Sequence, residues 1–97
     1  MSTLHVLSHS PFSDQRLPSC LRLLGHDDAI LLTGDAVYAL TPGSEPWASL
    51  SGAGVAVFAL AEDARARALP GNPAVELLDY PGFVELTLAY AKVNSWL

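Results

Sequence analysis

The stretch that most constrains the fold is residues 28–40, DAILLTGDAVYAL, where an apolar run meets a tight turn. Four apolar residues in succession, 29–32, favour a strand that is buried on both faces. Gly34 interrupts the run, and Asp35 is placed to cap a short helix containing Tyr38. This order is typical of the carboxyl edge of an α/β sheet, where ligands and partners commonly bind. The turn has neither phosphate-binding glycines nor a nucleophile, so it predicts a fold better than a chemistry.

The rest of the chain alternates strand-like and helix-like segments. The predicted strands are residues 3–8, 29–33, 55–60 and 75–78. The predicted helices are an apolar series from Leu17 that ends at Gly25, the short helix after Asp35, residues 62–69, and a last helix capped by Asp79. We expect a loop around Pro42, Gly43 and Pro46. The alternation predicts an α/β fold, with residues 1–97 as one three-layer sandwich around a mostly parallel sheet of about four strands.

Composition narrows the class of function. The chain has 97 residues, of which 51% are hydrophobic and 15% charged, which argues against disorder and hints at a surface covered by another subunit. Its net charge of -5, with five Lys and Arg together, argues against direct nucleic-acid binding. No apolar run is long enough to cross a bilayer, and the N-terminus lacks a signal-peptide pattern. We therefore expect a cytoplasmic protein without membrane contact.

Cys20 is the one cysteine, so it permits no internal disulfide and no multi-cysteine metal site. If Pro18 is the first helical residue, Cys20 lies in the first turn, where the helix dipole with Arg16 and Arg22 would favour a reactive thiolate. If the helix begins near Ser13, Cys20 is a small hydrophobe within an apolar stripe. Core packing is the favoured interpretation because free cysteines are usually buried.

The other titratable residues predict no metal or cofactor site. His5 and His9 have the i, i+4 spacing of helical metal ligands, but they fall in a strand and its following turn. His9 and Cys20 could meet at one sheet edge, although nothing in the sequence demands it. Asp28 and Asp35 suit a turn and a helix cap better than a Mg²⁺ site.

Two aromatic residues are candidate interface anchors. Trp96 lies one residue from the end of the sequence, where chains fray unless they dock on their own core or on a partner. Tyr38 lies in the short helix at the carboxyl edge, and aromatic residues often anchor buried interfaces. Phe58 and Phe83 are expected in the core.

Several segments, in order, resemble the TusB/DsrH family within the DsrE/F/H-like sulfur-relay proteins. They are the first strand and turn (LHVLSHSPF, residues 4–12), residues 21–32, residues 35–39, residues 75–84 and the closing Trp96. Ala36 stands where the family more often has Gly. The resemblance spans nearly the whole chain and implies a DsrE/F-like fold.

The resemblance implies a subunit of a heterohexamer with TusC-like and TusD-like (DsrF-like and DsrE-like) partners. Such a complex relays persulfide sulfur toward the 2-thio group of wobble uridine in tRNA. The principal sulfur-carrying cysteine lies on the TusD-like or DsrE-like subunit, which implies an auxiliary or structural role here. Two alternatives stay open: a direct persulfide carrier using Cys20 in a DsrEFH-like complex of sulfur oxidation, and a stand-alone α/β ligand-binding protein.

Overall fold

The computed structural model describes residues 2–96 and contains one five-stranded parallel sheet. The strands are β1 (Thr3–Leu7), β2 (Ala29–Leu32), β3 (Ala56–Leu60), β4 (Glu76–Leu78) and β5 (Lys92–Trp96), in the order β4-β3-β2-β1-β5. The helices are α1 (Arg16–Arg22), a 3₁₀ helix (Gly34–Leu40), α2 (Glu45–Ser51), α3 (Ala61–Ala66) and α4 (Tyr80–Ala89). The predicted α/β sandwich is confirmed, with five strands instead of about four.

The two faces of the sheet are covered by different helices because successive strand residues point to opposite sides. The larger cluster joins strand residues such as Leu7, Ile30 and Ala59 to Cys20 of α1, Val37 and Leu40 of the 3₁₀ helix and Leu50 of α2. The smaller cluster joins Leu4, Ala29 and Leu31 to Phe83 and Leu86 of α4. All four residues of β2 are buried, as the continuous apolar run predicts.

Connection handedness explains this division. The steps from β1 to β2, β3 and β4 all proceed in one direction across the sheet, so right-handed crossovers place their helices on one face. The step from β4 to β5 returns past β1 and therefore carries α4 across the other face. Consequently α4 packs on the smaller cluster apart from α1 and α2. Between residues 2 and 96, no helix has the length and apolar content needed to cross a membrane.

Two elements differ from the sequence prediction. Helix α2 forms where we expected a loop, because Ser44 caps it by accepting the N–H of Trp47 at 3.3 Å. Pro46 lies in the first turn, where a missing N–H breaks no intrahelical bond. Strand β5 was not predicted, since Lys92, Asn94 and Ser95 are polar, yet it pairs with β1 from Thr3↔Lys92 to Leu7↔Trp96.

Of the two helix caps predicted from the sequence, one forms and the other does not. Asp79 caps α4 as predicted, accepting the N–H of Gly82 at 2.8 Å. The cap predicted for Asp35 is wrong: Thr33 holds that position without a side-chain cap, and Asp35 pairs with Arg67 instead. Gly34 adopts φ +50°, a left-handed conformation that glycine accepts without strain.

Candidate functional site

Asp28 is the centre of a buried polar network at the amino-terminal edge of the sheet. Its Oδ1 accepts the backbone N–H of Thr3 at 2.9 Å. Its Oδ2 accepts the backbone N–H of Gly25 at 2.9 Å and lies 3.1 Å from Nε2 of His5. The Gly25 N–H, followed by His5 and Thr3, holds the pKa of Asp28 below its usual value, against the opposing effect of burial. The predicted turn-forming aspartate therefore also joins the turn to β1.

His5 links Asp28 to the last strand of the sheet. Its Nδ1 accepts the indole N–H of Trp96 at 3.1 Å. A neutral imidazole has one donor and one acceptor nitrogen, so Nε2 carries the hydrogen and donates to Asp28. Both ring nitrogens are thus occupied within the protein. The side chain is buried as well, so this geometry suits a structural histidine and offers no free nitrogen to a metal or a substrate.

Trp96 docks on its own chain, which is one of the two arrangements expected for it. The indole packs against the larger core cluster and its ring centroid lies 6.1 Å from that of His5. Because the side chain is only partly buried, part of it stays open to solvent. Contact of that part with a partner remains a prediction.

Cys20 lies in the core, at the fifth position of α1. Since α1 begins at Arg16, the condition for placing the thiol in the first turn is not met. The side chain is 0% exposed, and burial, with a contribution from the Asp28 carboxylate, raises the pKa of the thiol to about 12. At neutral pH the thiol is therefore protonated. His9 is exposed and lies against Ser8, so the structure does not bring His9 and Cys20 together.

Tyr38 lies at the carboxyl edge of the sheet in an ion-paired cluster. Arg67 donates from Nε and Nη2 to Oδ1 of Asp35, at 3.1 and 2.8 Å. The guanidinium carbon of Arg67 also lies 5.7 Å from the centre of the Tyr38 ring. Asp63 accepts the N–H of Gly34 at 2.8 Å and so ties α3 to the 3₁₀ helix. Tyr38 is about one-third exposed, and its interface role remains a prediction.

A groove of about 610 Å³ runs between the loop after β1, helix α1 and the start of α2. Its lining includes the apolar residues Phe12, Leu17 and Pro46 and the acidic residues Asp14 and Glu45. The Arg16 backbone N–H holds the pKa of Asp14 below its usual value, and the Arg16 side chain pairs with the same carboxylate. This groove was not predicted, because one of its walls belongs to the unexpected helix α2.

The polar and sulfur-containing groups of the buried network are occupied by contacts within the protein. The buried network contains a satisfied histidine and a satisfied aspartate, and the thiol is enclosed by apolar side chains. Within residues 2–96 there is no group of three or more His, Cys, Asp or Glu side chains placed to hold a metal ion. Phe12, in the lining of the groove, and the ring of Tyr38 remain exposed at the surface.

Comparison with known proteins agrees with the order of landmarks in the sequence. Residues 9–93 match the model of the DsrH-like protein family. Proteins named TusB from Salmonella enteritidis and Salmonella typhimurium are each 41% identical over 95 residues, which cover 96% of this chain and 99% of each relative. The crystal structure of the YchN protein from E. coli shares the fold, with a TM-score of 0.77, 20% identity, and coverage of 99% of this chain and 100% of that chain.

Proposed function

The chain belongs to the TusB/DsrH family, and from this premise we propose that it is a subunit of a TusBCD-like sulfur-relay complex. In this proposal its partners are TusC-like and TusD-like chains, two copies of each subunit forming a heterohexamer in the cytoplasm. The complex passes persulfide sulfur toward the 2-thiolation of tRNA wobble uridine. This chain contributes structure to the assembly, and the sulfur travels on another subunit.

The environment of Cys20 is the observation that carries the auxiliary role. A relay cysteine must attack an incoming persulfide as a thiolate and then present its outer sulfur to the next acceptor. Cys20 is the one cysteine of the chain, and it is fully buried with its pKa raised to about 12. Both features oppose attack and presentation. A chain of this kind supports a relay best by positioning its partners.

Charge supports the same division of labour for tRNA. The net charge of -5 places the chain among proteins that repel a phosphate backbone. A partner subunit or the final acceptor enzyme would therefore contact the tRNA.

The competing hypothesis, direct persulfide carriage by Cys20, requires the thiol to leave the core. Cys20 packs in the same buried cluster as Leu17 of α1 and Ile30 of β2, so exposing it means displacing α1 from the sheet. No contact of the described residues favours such a displacement. Persulfide formation on this chain would nevertheless be easy to detect.

A complementation experiment distinguishes the two hypotheses. The chain is co-expressed with the TusC-like and TusD-like proteins of the same genome, and 2-thiouridine is measured by mass spectrometry of tRNA digests from a strain lacking this chain. We expect the wild type and Cys20→Ala to restore thiolation equally, and neither to gain about 32 Da when incubated with a loaded sulfur donor. A stable Cys20→Ala complex without thiolation, together with a wild-type adduct, would establish the carrier. Failure of the wild type to join either partner would overturn the subunit proposal.

A further inference from the structure

Helix α4 presents an apolar stripe to solvent. Tyr80, Val84 and Leu88 recur at intervals of four, so they form one line along the helix. They are 54%, 56% and 81% exposed, respectively. The side chains that hold α4 to the sheet are different ones, Phe83 and Leu86 in the smaller core cluster.

The stripe lies on a helix that is apolar nearly all round. Glu85 is the single charged residue of Tyr80–Ala89, and no residue of α4 is buried. Helices of this composition are normally enclosed on every side. Val93 of β5, on the same face of the sheet as α4, is also half exposed. The outer side of α4 is therefore exposed, although its composition is typical of a helix that is buried on every side.

The acidic residues beside the stripe indicate what kind of partner would bind it. In a two-fold antiparallel contact between copies, centred on Val84, both Glu85 carboxylates would lie on the same side of the seam and repel each other. Asp79, at the start of α4, adds a second acidic group near one end of the stripe. Within residues 2–96 neither Glu85 nor Asp79 has an ion-pair partner. A second copy, itself carrying -5, is a poor occupant.

We propose that the Tyr80–Val84–Leu88 stripe of α4 docks a helix of a sister subunit whose own apolar stripe is bordered by Lys or Arg facing Glu85. Helix-on-helix packing would bury the three apolar side chains, and the basic border would complement the acidic one. This inference rests on the proposed function, because the sister subunits are those of the sulfur-relay complex. It adds the surface by which this chain would be held.

The test uses the full chain, co-expressed with tagged TusC-like and TusD-like proteins of the same genome. One variant, Val84→Ala/Leu88→Ala, removes two of the three apolar side chains of the stripe while keeping good helix formers in exposed positions. Another, Glu85→Lys, reverses the charge. Leu23→Ala is the matched control, because Leu23 is a leucine with 67% exposure at the end of α1, on the opposite face of the sheet. Far-UV circular dichroism and urea midpoints verify that each variant is folded.

We expect the double variant and Glu85→Lys each to weaken capture by about tenfold or more, while Leu23→Ala matches the wild type. Equal capture of wild type and double variant would overturn the α4 surface and leave the subunit proposal intact. Loss of capture by the wild type itself would overturn both. Tighter capture of Glu85→Lys would refute the basic border. A wild-type homodimer that the double variant abolishes would identify a second copy as the occupant and refute the proposal.

Discussion

Replacing Asp28 with Asn should destabilise the fold far more than the loss of one surface charge. The carboxylate accepts three hydrogen bonds, from the N–H groups of Thr3 and Gly25 and from His5. An amide keeps one acceptor oxygen and turns an NH₂ group toward the remaining donors. His5 cannot relieve this clash by moving its hydrogen to Nδ1, because Nδ1 accepts the indole N–H of Trp96.

The magnitude follows from the bonds lost. Hydrogen bonds to a charged group contribute about 1.5–3 kcal/mol each, and donors left unsatisfied in a buried site add to the cost. Allowing one bond to survive in neutral form, two such bonds are lost, and we expect Asp28→Asn to lower the free energy of unfolding by about 3–6 kcal/mol. For a chain of this size such a loss lowers the melting temperature by about 15–30 °C.

Urea unfolding, followed by circular dichroism at pH 7, measures this loss. Asp27→Asn is the control, since Asp27 is the exposed neighbour of Asp28. A change below about 1 kcal/mol for Asp28→Asn, or an equal change for Asp27→Asn, would refute the reasoning, because either would mean that the buried bonds contribute no more than a surface carboxylate.

The pH dependence gives the same network a second test. The pKa of Asp28 is lowered in the folded protein, whereas its unfolded value is about 3.9. Its stabilisation is therefore present above the unfolded pKa and is lost as pH falls through the folded pKa. We expect the stability gap between wild type and Asp28→Asn to hold above about pH 5 and to narrow in stronger acid. A gap that widened on acidification would contradict the lowered pKa.

Three further predictions use other contacts. Cys20, enclosed and with its pKa near 12, should react with iodoacetamide at pH 8 at least about 100-fold more slowly than in 6–8 M urea, and a rate matching the unfolded chain would show an exposed thiol. Trp96→Phe removes the indole donor to His5 and should lower the free energy of unfolding by about 1 kcal/mol in urea titrations; no change would mean that the bond is not formed. Arg67→Ala should lower the free energy of unfolding slightly, and less at high salt, whereas exposed Arg65→Ala should change it little.

Local signals predicted the elements whose structure is decided locally. The apolar run of β2 indicated burial on both faces, and all four residues are buried. Asp79 before an apolar series indicated a capped helix, and the cap forms. Pro46 was assigned to a loop because proline breaks helices, but proline is also common in the first turn of a helix. The second case applies here, since Ser44 caps α2 just before Pro46. Strand β5 escaped because its polar residues lie on an edge, where pairing with β1 supplies the stabilisation.

The site depends on contacts that no local pattern encodes. His5 and Asp28 are 23 positions apart, and His5 and Trp96 are 91 apart. Trp96 was predicted to be an anchor, but its partner could not be inferred from spacing. Arg67 lies within the predicted helix 62–69, and its pairing with Asp35 across 32 positions depends on the fold as a whole.

The placement of β5 beside β1 has a consequence for biosynthesis. Strand β1 lies between β2 and β5, so its second edge stays unpaired during synthesis until residues 92–96 have been made. Pairing of β5 with β1 joins segments that are far apart in the sequence, and such contacts form slowly because loop closure costs entropy. Until they form, one edge of the nascent sheet is unpaired. A sister chain or a chaperone that is present at that stage would encounter an unpaired strand edge.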